Sequence, residues 1–175
     1  LTSTYVTSFC AAEDLLSMWR SYPGANTGYA LCFDPTAFPQ RSVAWPGRLV
    51  RCLYNEAEKA AKLPAALHRL GRLLTIPDTP TKEQRDRTAW EISLDLQTVS
   101  PQFKHGHFHE EREWRLVCHT RSDGRHSGLP VCYRSGQSSL IPYLALPLEH
   151  CGNALGLSAI MVGPSPHQRE SATAL

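Results

Sequence analysis

The chain has 175 residues, 42% of them hydrophobic and 19% charged, with a formal net charge of +2. That length fits about one domain with its own core, and the composition excludes a disordered chain. The small net charge gives no electrostatic case for a nucleic-acid or membrane partner, and no apolar run approaches the ~20 residues of a membrane span.

Six cysteines (Cys10, Cys32, Cys52, Cys118, Cys132, Cys151) are scattered without a C-x-x-C pair, several inside apolar runs. They predict buried free thiols in a reducing, cytoplasmic setting rather than a disulfide framework. The chain opens on Leu1 with strand-like sequence almost at once, and it stops at Leu175 inside a helical pattern. The expectation is a single domain over residues 1–175, a fragment lacking an upstream strand region and part of a C-terminal helix.

Residues 4–10 are β-branched and aromatic and predict a strand. Tyr5, Thr7 and Phe9 share one face; Val6, Ser8 and Cys10 share the other. The polar pair Thr7-Ser8 marks either an edge strand with one wet face or a strand that places Ser8 beside a site. Residues 11–22 predict a helix with Leu15, Leu16, Met18 and Trp19 as its stripe, ended by Pro23-Gly24. Residues 28–34 read as a buried strand stopped at Asp34-Pro35. Residues 42–54 contain a further strand around Arg48 to Tyr54, whose arginines alternate with apolar residues.

Asn55 predicts a helix cap, with Pro64 breaking or restarting the helix and leucines from Leu63 to Leu74 carrying its apolar face. Residues 77–80 read as a loop, and Thr81 to Gln97 as another helix. Asp123-Gly124 suits a hairpin turn. Residues 131–134 and 140–146 read as strands, the second an edge or bulged strand because of Pro142 and Pro147. Residues 157–164 give a last strand, after which Ser165 or Pro166 opens a final helix.

The densest chemistry lies in residues 103–117. His105, His107 and His109 alternate there, followed by Glu110, Glu111, Arg112, Glu113, Trp114 and Arg115. If residues 111–117 form a strand, Glu111, Glu113 and Arg115 point one way, and Trp114 and Leu116 point into the core. Two such carboxylates lie roughly 6.5–7 Å apart, and Arg115 keeps them ionised. The pair can bind sugar hydroxyls, orient a nucleophile or hold a metal; the plain alternative is a solvated strand edge. The alternating histidines with Glu113 offer a metal-dependent hydrolase or nuclease, against exposed loop histidines as the plain alternative. A third feature, the Gly163-Pro164-Ser165 turn before a helix, offers an anion seat or simply a strand-to-helix turn. No Walker loop, dinucleotide fingerprint, G-x-S-x-G or H-E-x-x-H is present.

Several blocks taken in order resemble the bacterial domain-of-unknown-function family 2971. These are residues 5–10, 14–22, 28–34, Phe103-Lys104-His105, Phe108, 110–117, 140–143 and 160–164. The resemblance implies a prokaryotic, cytosolic protein and no defined activity. Relative to the family pattern, an early N-terminal segment is absent, and Cys10 stands where Ser is common.

The order of a Thr-Ser strand and a later Glu-x-Glu strand is also similar to the motif layout of ADP-ribosyltransferases. That similarity implies NAD as substrate, Ser8 orienting Glu113, Glu113 gripping the nicotinamide ribose, and Glu111 positioning the acceptor nucleophile. Tyr22 or Trp19 would stack near the nicotinamide, with Arg115 beside the cofactor. The first-strand arginine of that layout has no equivalent here. The acceptor, a small nucleotide or a macromolecule, is not specified. The expected architecture is α+β: a mostly antiparallel mixed sheet, whole or split, with packed helices. A non-catalytic binding or scaffold module is the alternative to an enzyme.

Overall fold

The structure is a computed structural model, and it describes residues 2–22, 28–38, 47–74, 81–121, 129–146 and 156–174. The element order is β1 (Thr2–Cys10), α1 (Leu16–Ser21), β2 (Tyr29–Phe33), β3 (Arg48–Arg51), α2 (Glu56–Leu74), α3 (Lys82–Val99), β4 (Glu113–Arg121), β5 (Val131–Ser135), β6 (Leu140–Leu144), β7 (Leu157–Val162) and α4 (Gln168–Thr173). The fold is α+β, as expected. Its strands are split among β1-β4-β3, β2-β7 and β5-β6. Among the described residues no helix is long and apolar enough to cross a membrane.

The chain divides into two compact units. The first takes Leu1–Tyr5, Ala12–Leu49 and Cys118–Leu175; the second takes Val6–Ala11 and Val50–Val117.

In the first unit β2 pairs antiparallel with β7, with a register shift at Cys32/Phe33, and β5 pairs antiparallel with β6. Pro142 of β6 has no N–H to give a ladder, and among the described strands β6 pairs with β5 alone, as expected of an edge strand. Helix α1 begins at Leu16, not at Ala11 as the apolar stripe suggests. The reason is Asp14, which sits at φ 51° and accepts the Trp19 indole N–H at 2.7 Å, so the right-handed helix cannot include it. Gly163 is buried beneath the Trp19 ring, and its N–H donates to the Gly28 carbonyl at 2.8 Å. Helix α4 starts at Gln168, later than Ser165 or Pro166, because the Ser165 hydroxyl accepts the His167 N–H and forms a turn first.

In the second unit α2 and α3 pack together. Asn55 caps α2 through the Ala57 N–H at 2.7 Å, and the helix runs on through Pro64. Thr81 and Gln84 close a reciprocal capping box at the start of α3. The buried apolar side chains are Val50, Cys52, Leu53, Ile92, Leu116 and Val117. After α3 the chain turns at Ser100–Gln102 and bridges in parallel from Phe103 to Leu53. Cys52 and Cys118 are buried free thiols. The hairpin read at Asp123-Gly124, the loop at 77–80, the start of the residue 42–54 strand and Cys151 lie outside the described residues.

Candidate functional site

Residues 103–117 do not form one long strand. His105 N-caps a 3-10 helix, Gly106–Glu111, by accepting the His107 N–H. Arg112 ends it in the left-handed region, at φ 43° and ψ 48°. Only then does β4 begin, at Glu113. Glu111 is therefore not on the strand, contrary to the Glu-x-Glu pattern. The turn is fastened to the end of β1, where the Cys10 thiol donates to the Glu111 carbonyl at 2.9 Å and the Ala11 N–H to the Arg112 carbonyl at 3.3 Å.

Glu113 is fixed on both sides of its backbone. Its N–H donates to the Tyr54 hydroxyl at 2.7 Å, and its carbonyl accepts the Cys52 N–H at 2.9 Å. The residue is only 4% exposed. Arg115, two residues along the same strand face, donates from Nε to Oε1 at 2.7 Å and from Nη2 to Oε2 at 3.3 Å. Its Nη1 reaches the Pro101 carbonyl at 2.8 Å. Lys104 places its ammonium 2.5 Å from Glu113 Oε2 and also pairs with Glu111. Ser8 lies on β1, the sheet neighbour of β4, and its side chain is one of the groups that lower the Glu113 pKa. The Lys104 backbone is held by its N–H to the Leu53 carbonyl at 3.1 Å, and its ammonium lies 5.2 Å from the Phe108 ring centroid.

Two cations thus face two carboxylates in a partly closed setting. Burial by itself would raise the Glu113 carboxyl, but hydrogen bonds from Arg115 and Lys104, with the Ser8 side chain, overcome it and bring the pKa down to about 2. Burial likewise opposes the Lys104 charge, and Glu111 and Glu113 push its pKa up to about 12. Glu113 is therefore ionised across the physiological range. It can accept hydrogen bonds and stabilise positive charge, but it cannot carry a proton near neutral pH.

The residues singled out in the sequence separate into two groups. Ser8, Glu111, Glu113 and Arg115 come together in the second unit. Trp19 and Tyr22 belong to the first unit, Trp19 held by Asp14 and Gly163 and Tyr22 72% exposed. Of the two side chains expected to point into the core, Leu116 is buried and Trp114 is 37% exposed; the carboxylate face is not the solvated edge of the plain alternative, because Glu113 is buried on it. His105, His107 and His109 are exposed on the 3-10 helix and do not line a strand face. Among the described residues no group of three or more His, Cys, Asp and Glu side chains is placed to hold a metal ion. The anion seat considered at Gly163 falls before a six-residue helix.

Lys104 and Tyr54 are the members that sequence reasoning missed. Lys104 is a single basic residue just outside the Glu-x-Glu pattern, and Tyr54 ends an unremarkable strand sequence, so neither carries a local signal. A family model described as "Protein of unknown function (DUF2971)" matches residues 18–116, a span that holds Lys104, Glu111, Glu113 and Arg115 but not Ser8. No curated protein and no solved structure matches the chain.

Proposed function

The chain belongs to the DUF2971 family of proteins of unknown function, and from that footing we propose that its second unit carries the carboxylate centre of an NAD-using, ADP-ribosyltransferase-like transferase. Glu113 accepts hydrogen bonds from the nicotinamide ribose and stabilises positive charge at the ribose C1′. The C1′–N1 bond breaks with its electron pair leaving on nicotinamide, and an acceptor nucleophile attacks C1′ and releases its proton to solvent. Ser8 orients Glu113, and Glu111 positions the acceptor.

The observation that carries this assignment is that β1, which bears Ser8, is the sheet neighbour of β4, which opens at Glu113. It joins two residues far apart in sequence that the motif order singles out together. The depressed Glu113 pKa agrees with the role, because an oxocarbenium-like state is stabilised by a carboxylate that stays ionised. The assignment uses residues of the second unit alone. Trp19 and Tyr22, first considered as nicotinamide-stacking groups, have no part in it.

A second reading has its own support. Arg115 and Lys104 neutralise the two acids, as in an ion network that only holds a fold together. On that reading the chain is a non-catalytic binding or scaffold module. Incubating the full-length protein with NAD labelled in its ADP-ribose part separates the two. Transfer or hydrolysis lost in Glu113→Gln and reduced in Ser8→Ala, with both variants folded, supports the transferase. Equal label release by wild type and Glu113→Gln assigns Glu113 to the scaffold.

A further inference from the structure

A carboxylate offers about four lone-pair positions, and Glu113 is already crowded. Arg115 donates twice and the Lys104 ammonium lies 2.5 Å from Oε2. A ribose hydroxyl competes with these donors for the carboxylate.

The donors are not equally free to leave. Arg115 is anchored at its far end by the Pro101 carbonyl, and its paired bonds to Glu113 must break together. Ser8 has a short side chain on β1 and no reach beyond it. Lys104 differs from both, because a long flexible stem carries its ammonium and a second carboxylate, Glu111, already touches it. Moving off Glu113 leaves that pair intact. The Phe108 ring beside the ammonium adds a further attraction that does not depend on Glu113.

We propose that Lys104 is a self-inhibitory latch on Glu113, and that Glu111 is the partner onto which it withdraws when substrate binds. The proposal deepens the transferase assignment and rests on it for the identity of the substrate. It also gives Glu111 a duty distinct from positioning the acceptor.

Steady-state turnover of NAD by the full-length protein tests it, with Lys104→Met, Glu111→Gln and their double variant. In Lys104→Met the KM for NAD falls about tenfold, the scale of one charge-assisted hydrogen bond no longer competing with substrate. In Glu111→Gln the KM rises, because the ammonium has lost its resting place. The double variant matches Lys104→Met in KM for NAD, since without the latch Glu111 has no ammonium to receive. A Lys104 that merely supported the fold would lower kcat and the melting temperature and leave KM in place, and that result overturns the latch. If Glu113→Gln abolishes turnover but neither single variant moves KM, the latch is wrong and the transferase assignment stands. If wild type and all variants leave NAD untouched, the transferase assignment fails and the latch with it. Should Lys104→Met not fold, an unchanged KM in Glu111→Gln is enough to refute the latch.

Discussion

Replacing Glu113 by Gln removes one negative charge while keeping the side chain's shape. The new amide NH2 is a donor placed among donors, facing Lys104 and Arg115. Glu113 has an ordinary pKa of 4.5 and a folded value of about 2, a difference worth roughly 3 kcal/mol of folding stability at neutral pH. Water reaching Lys104 and Glu111, whose side chains are each 16% exposed, screens part of that and leaves about 2 kcal/mol. The sign follows from the depressed folded pKa. The contribution is fully present above the unfolded value of 4.5 and drains away as pH falls through about 2.

Urea unfolding of wild type and Glu113→Gln, repeated from pH 8 down to pH 2, measures it. The gap between the two proteins stays level from pH 8 to pH 5 and closes on the way to pH 2. No gap at pH 7, or a gap that persists undiminished at pH 2, shows that the charge on Glu113 does not stabilise the fold and refutes the reasoning.

Two more perturbations probe the surroundings. Tyr54→Phe deprives the Glu113 N–H of its acceptor, costs about 1–2 kcal/mol in thermal unfolding, and speeds hydrogen exchange at that amide; unchanged exchange would show that Tyr54 is not the acceptor that protects it. Gly163→Ala puts a methyl carbon 2.8 Å from the Trp19 ring and 2.9 Å from the Gly28 carbonyl oxygen, so about 2 kcal/mol is lost and the Trp19 indole N–H resonance shifts. A variant as stable as wild type would mean that the ring and the β2-β7 ribbon yield without strain.

Elements with strong local periodicity and clear stops were legible in the sequence. Strands β2 and β7 are short apolar runs bounded by turn residues, though Tyr29 and Leu31 leave β2 exposed on one face rather than buried as expected, and α3 starts at the Thr81 that the pattern marked. What escaped were places where a side chain diverts the backbone. Asp14 shortens α1, Ser165 delays α4, and His105 caps a 3-10 helix where exposed loop histidines were expected. The polar cluster around Glu113 was legible in its members more than in its geometry. Ser8, Glu111, Glu113 and Arg115 were all singled out, but the acids were expected side by side on a strand. They meet through Lys104 instead, a contact set by how Phe103 bridges to Leu53. Pairing between distant segments leaves no mark in a local pattern, which is also why Tyr54 went unnoticed.

The left-handed Arg112 reaches beyond this one chain. A search for two glutamates separated by one residue collects two unlike objects: acids spaced along a pleat, and acids folded toward a shared counter-ion by a single torsion. The letter between them sorts the two. Valine or isoleucine there commits the segment to the pleat, because a branched side chain resists positive φ. Glycine, asparagine or an unbranched residue leaves the pivot open. Substituting isoleucine for Arg112 would strain this pivot without touching either acid.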